Sequence, residues 1–190
     1  MNRYLSIISL SVNRLNGPIK RYRIAECIRK DDPYICCLQE THLRTKDLHR
    51  LKVKGSKHIF QANTEKKKKA GVTMLISDKI DYKKGAIKRD PEGHFLIFKG
   101  RIHQEDINII NIYAPNIGKT KYIRKILEDF KKDIDSNTLI KGVLHSIVNS
   151  VQIFSSQRSK IYILFECTWN IFKDIPPDRT QRKPQQIQQN

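Results

Sequence analysis

The sequence predicts a layered protein in which β-strands and α-helices are mixed. Short apolar segments that end in turn signals suit buried strands, whereas two longer segments repeat their apolar residues at helical spacing. Along the chain the order is strand, helix, strand, several hairpin strands, helix and strand, which is typical of layered α/β or α+β domains. A chain of 190 residues is long enough for one domain with a sizeable core.

The N-terminal elements alternate strand, helix and strand. Residues 4–12 are rich in Ile and Leu and are followed by a dense turn signal, so we predict a buried strand. Pro18 suits the first position of a helix that extends to about Arg29 with its apolar residues on one face. An Asp-Asp-Pro sequence ends that helix, and residues 35–39 form a second buried strand.

In the middle of the chain, short apolar runs follow one another at the spacing expected of β-hairpins, and we predict that they are strands. A short helical turn is predicted at residues 47–51, and the lysine-rich run 65–69 predicts an exposed loop. Apolar residues at helical spacing predict a helix over 119–135. The remaining strands are predicted at residues 57–61, 71–76, 81–87, 94–99, 107–113 and 138–140.

The character of the sequence changes after residue 142, where we predict a boundary. Residues 1–142 carry the elements above, whereas residues 143–190 form a divergent tail. In this tail, residues 147–154 alternate like a strand or a weak helix, residues 161–172 form an apolar run, and the rest is polar and rich in amides. We expect the last part, about 175–190, to be disordered because it has too few apolar residues to form a core.

The charge balance favours polyanionic partners. The chain has 37 Lys and Arg against 19 Asp and Glu, a formal net charge of +18. This excess favours nucleic acid first and acidic membrane surfaces second. No run reaches the roughly 18 apolar residues of a membrane span, and no small-residue cleavage site follows the apolar N-terminus. We therefore expect an intracellular protein of the nucleus or cytoplasm, neither secreted nor membrane-spanning.

Glu40 follows the second predicted strand. A carboxylate at the carboxyl end of a buried strand can hold a divalent metal, because Mg²⁺ takes one or two protein carboxylates and completes its shell with water and phosphate oxygens. The alternative is a glutamate exposed at a strand end without a function.

Tyr113 ends the strand at 107–113. Its hydroxyl can donate to a phosphate or stabilise a leaving oxygen. The alternative is a tyrosine that bridges core and solvent. Glu40 and Tyr113 converge only if their strands lie side by side, which their spacing does not decide.

Three segments follow one another along the chain: Ser-Leu-Ser-Val-Asn at 9–13, Gln-Glu-Thr-His-Leu at 39–43 and Asn-Ile-Tyr-Ala-Pro-Asn at 111–116. Together they resemble the endonuclease/exonuclease/phosphatase superfamily, and more closely the N-terminal endonuclease domain of the LINE-1 retrotransposon ORF2 protein. The resemblance extends over about residues 5–142, and connecting segments share it at 19–23, 52–55, 69–72, 87–90 and 135–140.

The resemblance implies a two-sheet α/β sandwich with an active site at one end, between the sheets. It implies that Glu40 is catalytic and holds Mg²⁺, that Tyr113 is catalytic and contacts the scissile phosphate, and that Asn13 and Asn116 bind DNA. Members of this family nick DNA at a phosphodiester with the help of a metal. In LINE-1 elements the nick supplies the primer for reverse transcription.

The chain departs from the family at several positions. Ser11 stands where the family has the first Asn of Asn-x-Asn-Gly, and Val143 stands where the family has the Asp of Gly-Asp-Phe-Asn. The later Asp and the terminal Ser-Asp-His, which provides the general base, have no counterpart. Since losing members of a catalytic unit costs factors of hundreds to millions, we expect nicking near the background rate.

The same departures lead to two further expectations. An incomplete second sheet would leave the inner face of the first sheet uncovered unless residues 147–172 cover it. The chain would then be marginally stable or would self-associate through that face. The alternative function is a non-catalytic basic protein that binds nucleic acid through phosphate contacts. Its cationic clusters would be residues 66–69, Lys83-Lys84 with Lys88-Arg89, and 119–132.

Overall fold

Two β-sheets face each other in this structure. The computed structural model describes residues 5–63, 70–114, 118–142 and 163–167. The predicted loop at 65–69 and the predicted disorder at 175–190 lie outside the described residues. Within these ranges the strands are β1 (Ser6–Ser11), β2 (Ile35–Gln39), β3 (Ser56–Ala62), β4 (Val72–Ser77), β5 (Tyr82–Arg89), β6 (Phe95–Ile102), β7 (Glu105–Ile112), β8 (Thr138–Gly142) and β9 (Ile163–Cys167).

The first sheet has the order β3-β4-β2-β1-β9, and the second has the order β5-β6-β7-β8. Strand β1 runs parallel to β2, and the helix α1 (Pro18–Asp31) connects them. Strand β7 likewise runs parallel to β8, through the helix α2 (Lys119–Asp129). The other pairs in the two sheets, apart from β1 with β9, are antiparallel. The predicted layered α/β class is confirmed.

Helix α1 follows from its sequence. Pro18 occupies the first turn, where its missing N–H is not needed. Ile24 and Ile28 are buried on the face that covers the first sheet. The helix ends at Asp31 and is capped by Asp32, which adopts a left-handed conformation with φ of 45° and donates its N–H to the Ile28 carbonyl at 2.9 Å.

Helix α2 is shorter than predicted. It ends at Asp129, and a 3₁₀ turn follows at Lys131–Asp133 instead of a continued helix. Phe130 is buried against the second sheet, and Asp133 accepts a hydrogen bond of 2.6 Å from Lys99 on β6. These contacts hold the chain close to the sheet and end the helix.

The main core lies between the two sheets. Ile7, Cys37 and Met74 of the first sheet pack with Phe98 and Ile109 of the second, and all five are fully buried. The expectation that the inner face of the first sheet is uncovered is therefore wrong for strands β1, β2 and β4. The physical reason is that β5 to β8 already build a facing sheet, so the expected self-association through that face loses its basis.

Strand β9 lies within the predicted tail and pairs with β1 in parallel. In this register Ser9 is the partner of Glu166. The tail thus contributes one strand to the first sheet. Among the described residues, no helix has both the length and the apolar character that crossing a membrane requires.

Candidate functional site

Glu40 and Tyr113 lie at the same end of the sandwich. Glu40 follows the last residue of β2, and Tyr113 follows the last residue of β7. The two strands belong to different sheets and meet across the core, where Gln39 Nε2 donates to Asn111 Oδ1 at 2.7 Å. The tertiary structure therefore brings together the two residues whose convergence the sequence left open.

A buried polar network supports this end of the core. Asn111 is fully buried, and its side-chain nitrogen donates to the carbonyls of Leu38 at 3.2 Å and Thr73 at 3.1 Å. Gln39 is also buried and donates to Ser9 Oγ at 3.1 Å. Because a buried amide without partners is costly, these bonds define how the sheets meet beside the site.

Glu40 is held in an uncommon backbone conformation. Its φ is 58°, in the left-handed region that non-glycine residues rarely occupy. The Glu40 carbonyl accepts the N–H of Arg14 at 2.7 Å, and Glu40 Oε2 accepts the Ser11 hydroxyl at 3.2 Å. Strained backbone of this kind is concentrated at functional sites, where surrounding contacts maintain it.

The phenol of Tyr113 stays protonated over the physiological range. Burial raises the pKa of Tyr113 to about 12, and the negative charge of Glu40 and hydrogen bonding with its carboxylate act in the same direction. A neutral phenol remains a hydrogen-bond donor. Tyr113 can therefore donate either to Glu40 or to a phosphate oxygen that approaches this edge.

The Lys20 ammonium lies near the Glu40 carboxylate, and the Arg14 guanidinium lies near Lys20. The Lys20 ammonium, at the start of α1, donates to the Asn13 carbonyl. Burial lowers the pKa of Lys20, the nearby Glu40 carboxylate raises it, and the Arg14 guanidinium lowers it. The edge thus combines a phenol donor with positive charge, which suits a phosphodiester oxygen.

The described residues offer Mg²⁺ a poor set of donors at this edge. Glu40 supplies one carboxylate, the lower limit for such a site, and its Oε2 already accepts the Ser11 hydroxyl. The Lys20 ammonium beside Glu40 disfavours a further positive charge. No group of three or more His, Cys, Asp or Glu side chains that could hold a metal occurs in the described parts of the chain. These residues do not form a complete magnesium site.

The structure describes one of the two predicted DNA-binding residues, Asn13, and not the other, Asn116. Asn13 is exposed at the rim beside Glu40, with φ of 38°. Asn116 lies outside the described residues. The sequence interpretation missed Gln39, Asn111 and His94. The signal for the first two was a polar side chain inside an otherwise apolar buried strand; His94 gave no such signal.

Comparison with known proteins shows the fold. No family model matches the chain. Three similar solved structures are AP endonuclease LMAP from Leishmania major (18% identity, TM-score 0.54), truncated TDP2 from Caenorhabditis elegans (15%, 0.56) and the catalytic domain of Xenopus laevis APE2 (16%, 0.55). The chain has the endonuclease/exonuclease/phosphatase fold.

The similarity covers most of this chain but a smaller share of the other proteins. The match with LMAP covers 73% of this chain and 54% of LMAP. The match with TDP2 covers 76% of this chain and 64% of TDP2, and that with APE2 covers 72% and 57%. The chain therefore spans about half to two thirds of the length of these endonuclease/exonuclease/phosphatase structures.

Proposed function

We propose that this chain is a LINE-1 ORF2-type DNA endonuclease by descent that binds nucleic acid but does not nick it above the background rate. The observation that carries the proposal is the meeting of Tyr113 and Lys20 beside a single carboxylate, Glu40, with Arg14 close to Lys20. Within this proposal, residues 1–142 are the partial endonuclease domain and residues 143–190 are a divergent tail that adds β9.

The site residues are suited to binding a phosphodiester. Tyr113 offers a neutral hydroxyl, and Lys20 and Arg14 supply positive charge for a phosphate oxygen. Hydrolysis needs more, because water must be activated by a base while the developing charge is stabilised. The Glu40 carboxylate already accepts the Ser11 hydroxyl, and this contact does not make Glu40 a base that activates water. We therefore expect binding without cleavage.

A plasmid-nicking assay tests the proposal. Supercoiled plasmid is incubated with the purified chain in Mg²⁺ or in chelator, and a Glu40→Ala variant is treated in parallel. We expect retarded plasmid without nicking in all four samples. Nicking that requires Mg²⁺ and disappears in Glu40→Ala would contradict the proposed inactivity and restore the family's activity to this chain.

A second candidate is binding of nucleic acid away from this site, through strand β5. Lys83, Lys84, Lys88 and Arg89 are all exposed on this edge strand. Such a row can bind phosphates, although lysines on an edge strand also prevent unwanted strand pairing. Variants in strand β5 and at Tyr113 separate the two candidates. If charge reversal in β5 lowers the affinity for nucleic acid and Tyr113→Phe does not, binding through β5 is favoured.

A further inference from the structure

We propose that His94 is a positioning residue for Tyr113 through the packing of its flat ring. The ligand in this inference is the nucleic-acid phosphate of the proposed function, so that part rests on the proposed function. The positioning itself is a property of the chain and can be measured without nucleic acid.

The turn between β5 and β6 holds the His94 ring in one orientation. Asp90 Oδ2 accepts the backbone N–H of His94 at 2.8 Å and lies 3.2 Å from His94 Nδ1. Both side chains are largely buried, at 14% and 19% exposure. One carboxylate oxygen therefore accepts the backbone N–H of His94 and lies beside its ring, and the backbone bond, which does not need the ring nitrogens, sets the position of this side chain.

The turn is itself attached to the first sheet. Gly93 has φ of 81° and its carbonyl accepts the N–H of Gly71 at 3.0 Å. A Cβ at Gly93 would lie 3.2 Å from the Ala62 carbonyl oxygen and from Gly71 N. Only glycine combines this conformation with such a close approach, and the result is a turn that both sheets hold in place.

The fixed imidazole lies against Tyr113. The two rings are nearly parallel, with centroids 6.3 Å apart and 19° between their planes. Tyr122 of α2 contacts the imidazole edge-on at 5.5 Å and 63°. The backbone adds a further link, since Tyr113 N donates to the His94 carbonyl at 2.6 Å. His94 thus fills the space between the two tyrosines.

This packing has a consequence for the phenol. A half-buried tyrosine that lacks a neighbour on one face of its ring can change rotamer and move its hydroxyl away from the binding edge. His94 supplies that neighbour and keeps the Tyr113 hydroxyl towards Glu40. Holding a donor in its binding geometry in advance reduces the entropy lost when the ligand binds.

The test compares two substitutions of the same residue. His94→Ala removes the ring, whereas His94→Phe keeps a flat ring without the nitrogens. Affinity for a fluorescent DNA duplex is measured in chelator for these variants, for Tyr113→Phe and for the double variant His94→Ala/Tyr113→Phe. His49→Ala is the matched control, because His49 is exposed and lies in another part of the chain.

We expect His94→Ala and Tyr113→Phe to lose the same contribution to DNA affinity. His94→Ala and Tyr113→Phe each weaken binding by about fivefold, the size expected of one hydrogen bond, and the double variant binds no more weakly than either. His94→Phe and His49→Ala stay within twofold of the unmodified protein. Additive losses in the double variant, or a His94→Phe variant as weak as His94→Ala, would overturn the proposal.

A spectroscopic measurement separates this inference from the proposed function. The NMR signal of the Tyr113 ring is identified in ¹³C-tyrosine-labelled protein by its loss in Tyr113→Phe. We expect it to shift and broaden in His94→Ala but to remain sharp in His94→Phe. An unchanged signal in His94→Ala overturns the positioning role, whatever the DNA measurements show. If Tyr113→Phe has no effect on affinity, the proposed site fails while this signal still decides the role of His94.

Discussion

Gln39 and Asn111 are joined by a hydrogen bond of 2.7 Å that links the two sheets, although the residues are 72 positions apart in the chain. The bond lies directly beneath the edge where Glu40 and Tyr113 meet, because Glu40 follows Gln39 and Tyr113 lies two residues beyond Asn111. The geometry of the candidate site therefore depends on a contact between strands of different sheets.

Removing this link should destabilise the protein. Asn111→Leu removes three hydrogen bonds at once, those of the Asn111 side chain with Gln39 Nε2 and with the carbonyls of Leu38 and Thr73. We expect a loss of about 2–4 kcal/mol in the free energy of unfolding, measured by urea denaturation. Asn16→Leu, at an exposed position, is the control and should stay within about 0.5 kcal/mol. Equal stability of the two variants would contradict the structural role of the link.

Tyr113 should make stability depend on pH in the alkaline range. Its folded-state pKa is about 12, above the ordinary value of 10.0, so the folded protein retains the phenolic proton more tightly than the unfolded chain. Stability from this group is complete below pH 10 and falls as the pH rises from 10 towards 12. Urea midpoints measured between pH 9 and 12 should fall less steeply for Tyr113→Phe than for the unmodified protein.

Tyr22→Phe serves as the matched control for this measurement. Tyr22 is 67% exposed, so Tyr22→Phe removes one phenol from the surface and not from the buried site. A Tyr113→Phe variant with the same slope as Tyr22→Phe would show that burial beside Glu40 does not alter the Tyr113 phenol.

Charge reversal should locate the nucleic-acid surface. Binding through phosphate contacts weakens as salt rises, with a logarithmic slope of about 0.9 for each phosphate that the protein neutralises. If the β5 surface binds DNA, the triple variant Lys83→Glu/Lys84→Glu/Lys88→Glu binds more weakly and has a smaller salt slope than Lys46→Glu/Lys52→Glu/Lys54→Glu. Titrations of labelled DNA at several salt concentrations measure both quantities.

The two triple variants are matched, because each changes the net charge equally at exposed positions. Equal losses of affinity would mean that the overall charge of +18, not a particular surface, governs binding. Binding that does not change with salt would contradict phosphate contacts altogether.

Proline substitution should test the contribution of β9. Successive N–H groups of a strand point to opposite sides, so one of Leu164→Pro and Phe165→Pro removes a hydrogen-bond donor that faces β1. We expect that variant to lose about 1–3 kcal/mol in the free energy of unfolding, and the other to lose less. The matched substitutions Leu164→Val and Phe165→Tyr keep the N–H. If neither proline lowers the thermal midpoint, the first sheet does not depend on the tail strand.

Local sequence patterns predicted most of the helices and strands. Strand β2 has the predicted bounds, and Pro18 marked the start of α1, because short apolar runs and helix-terminal residues act over a few positions. The turn between β6 and β7 was not resolved from the sequence. His103 and Gln104 adopt φ of 50° and 68° there, and neither is the glycine or asparagine that usually signals such a turn.

Glu40 and Tyr113 each end an apolar strand, and this local pattern was enough to predict them as site residues. Only the tertiary structure decided that they meet, that Lys20 lies beside them and that His94 packs on Tyr113. The physical reason is distance along the chain. Periodicity reports on neighbours a few residues apart, whereas the meeting of Glu40 and Tyr113 depends on how two sheets pack around buried Gln39 and Asn111.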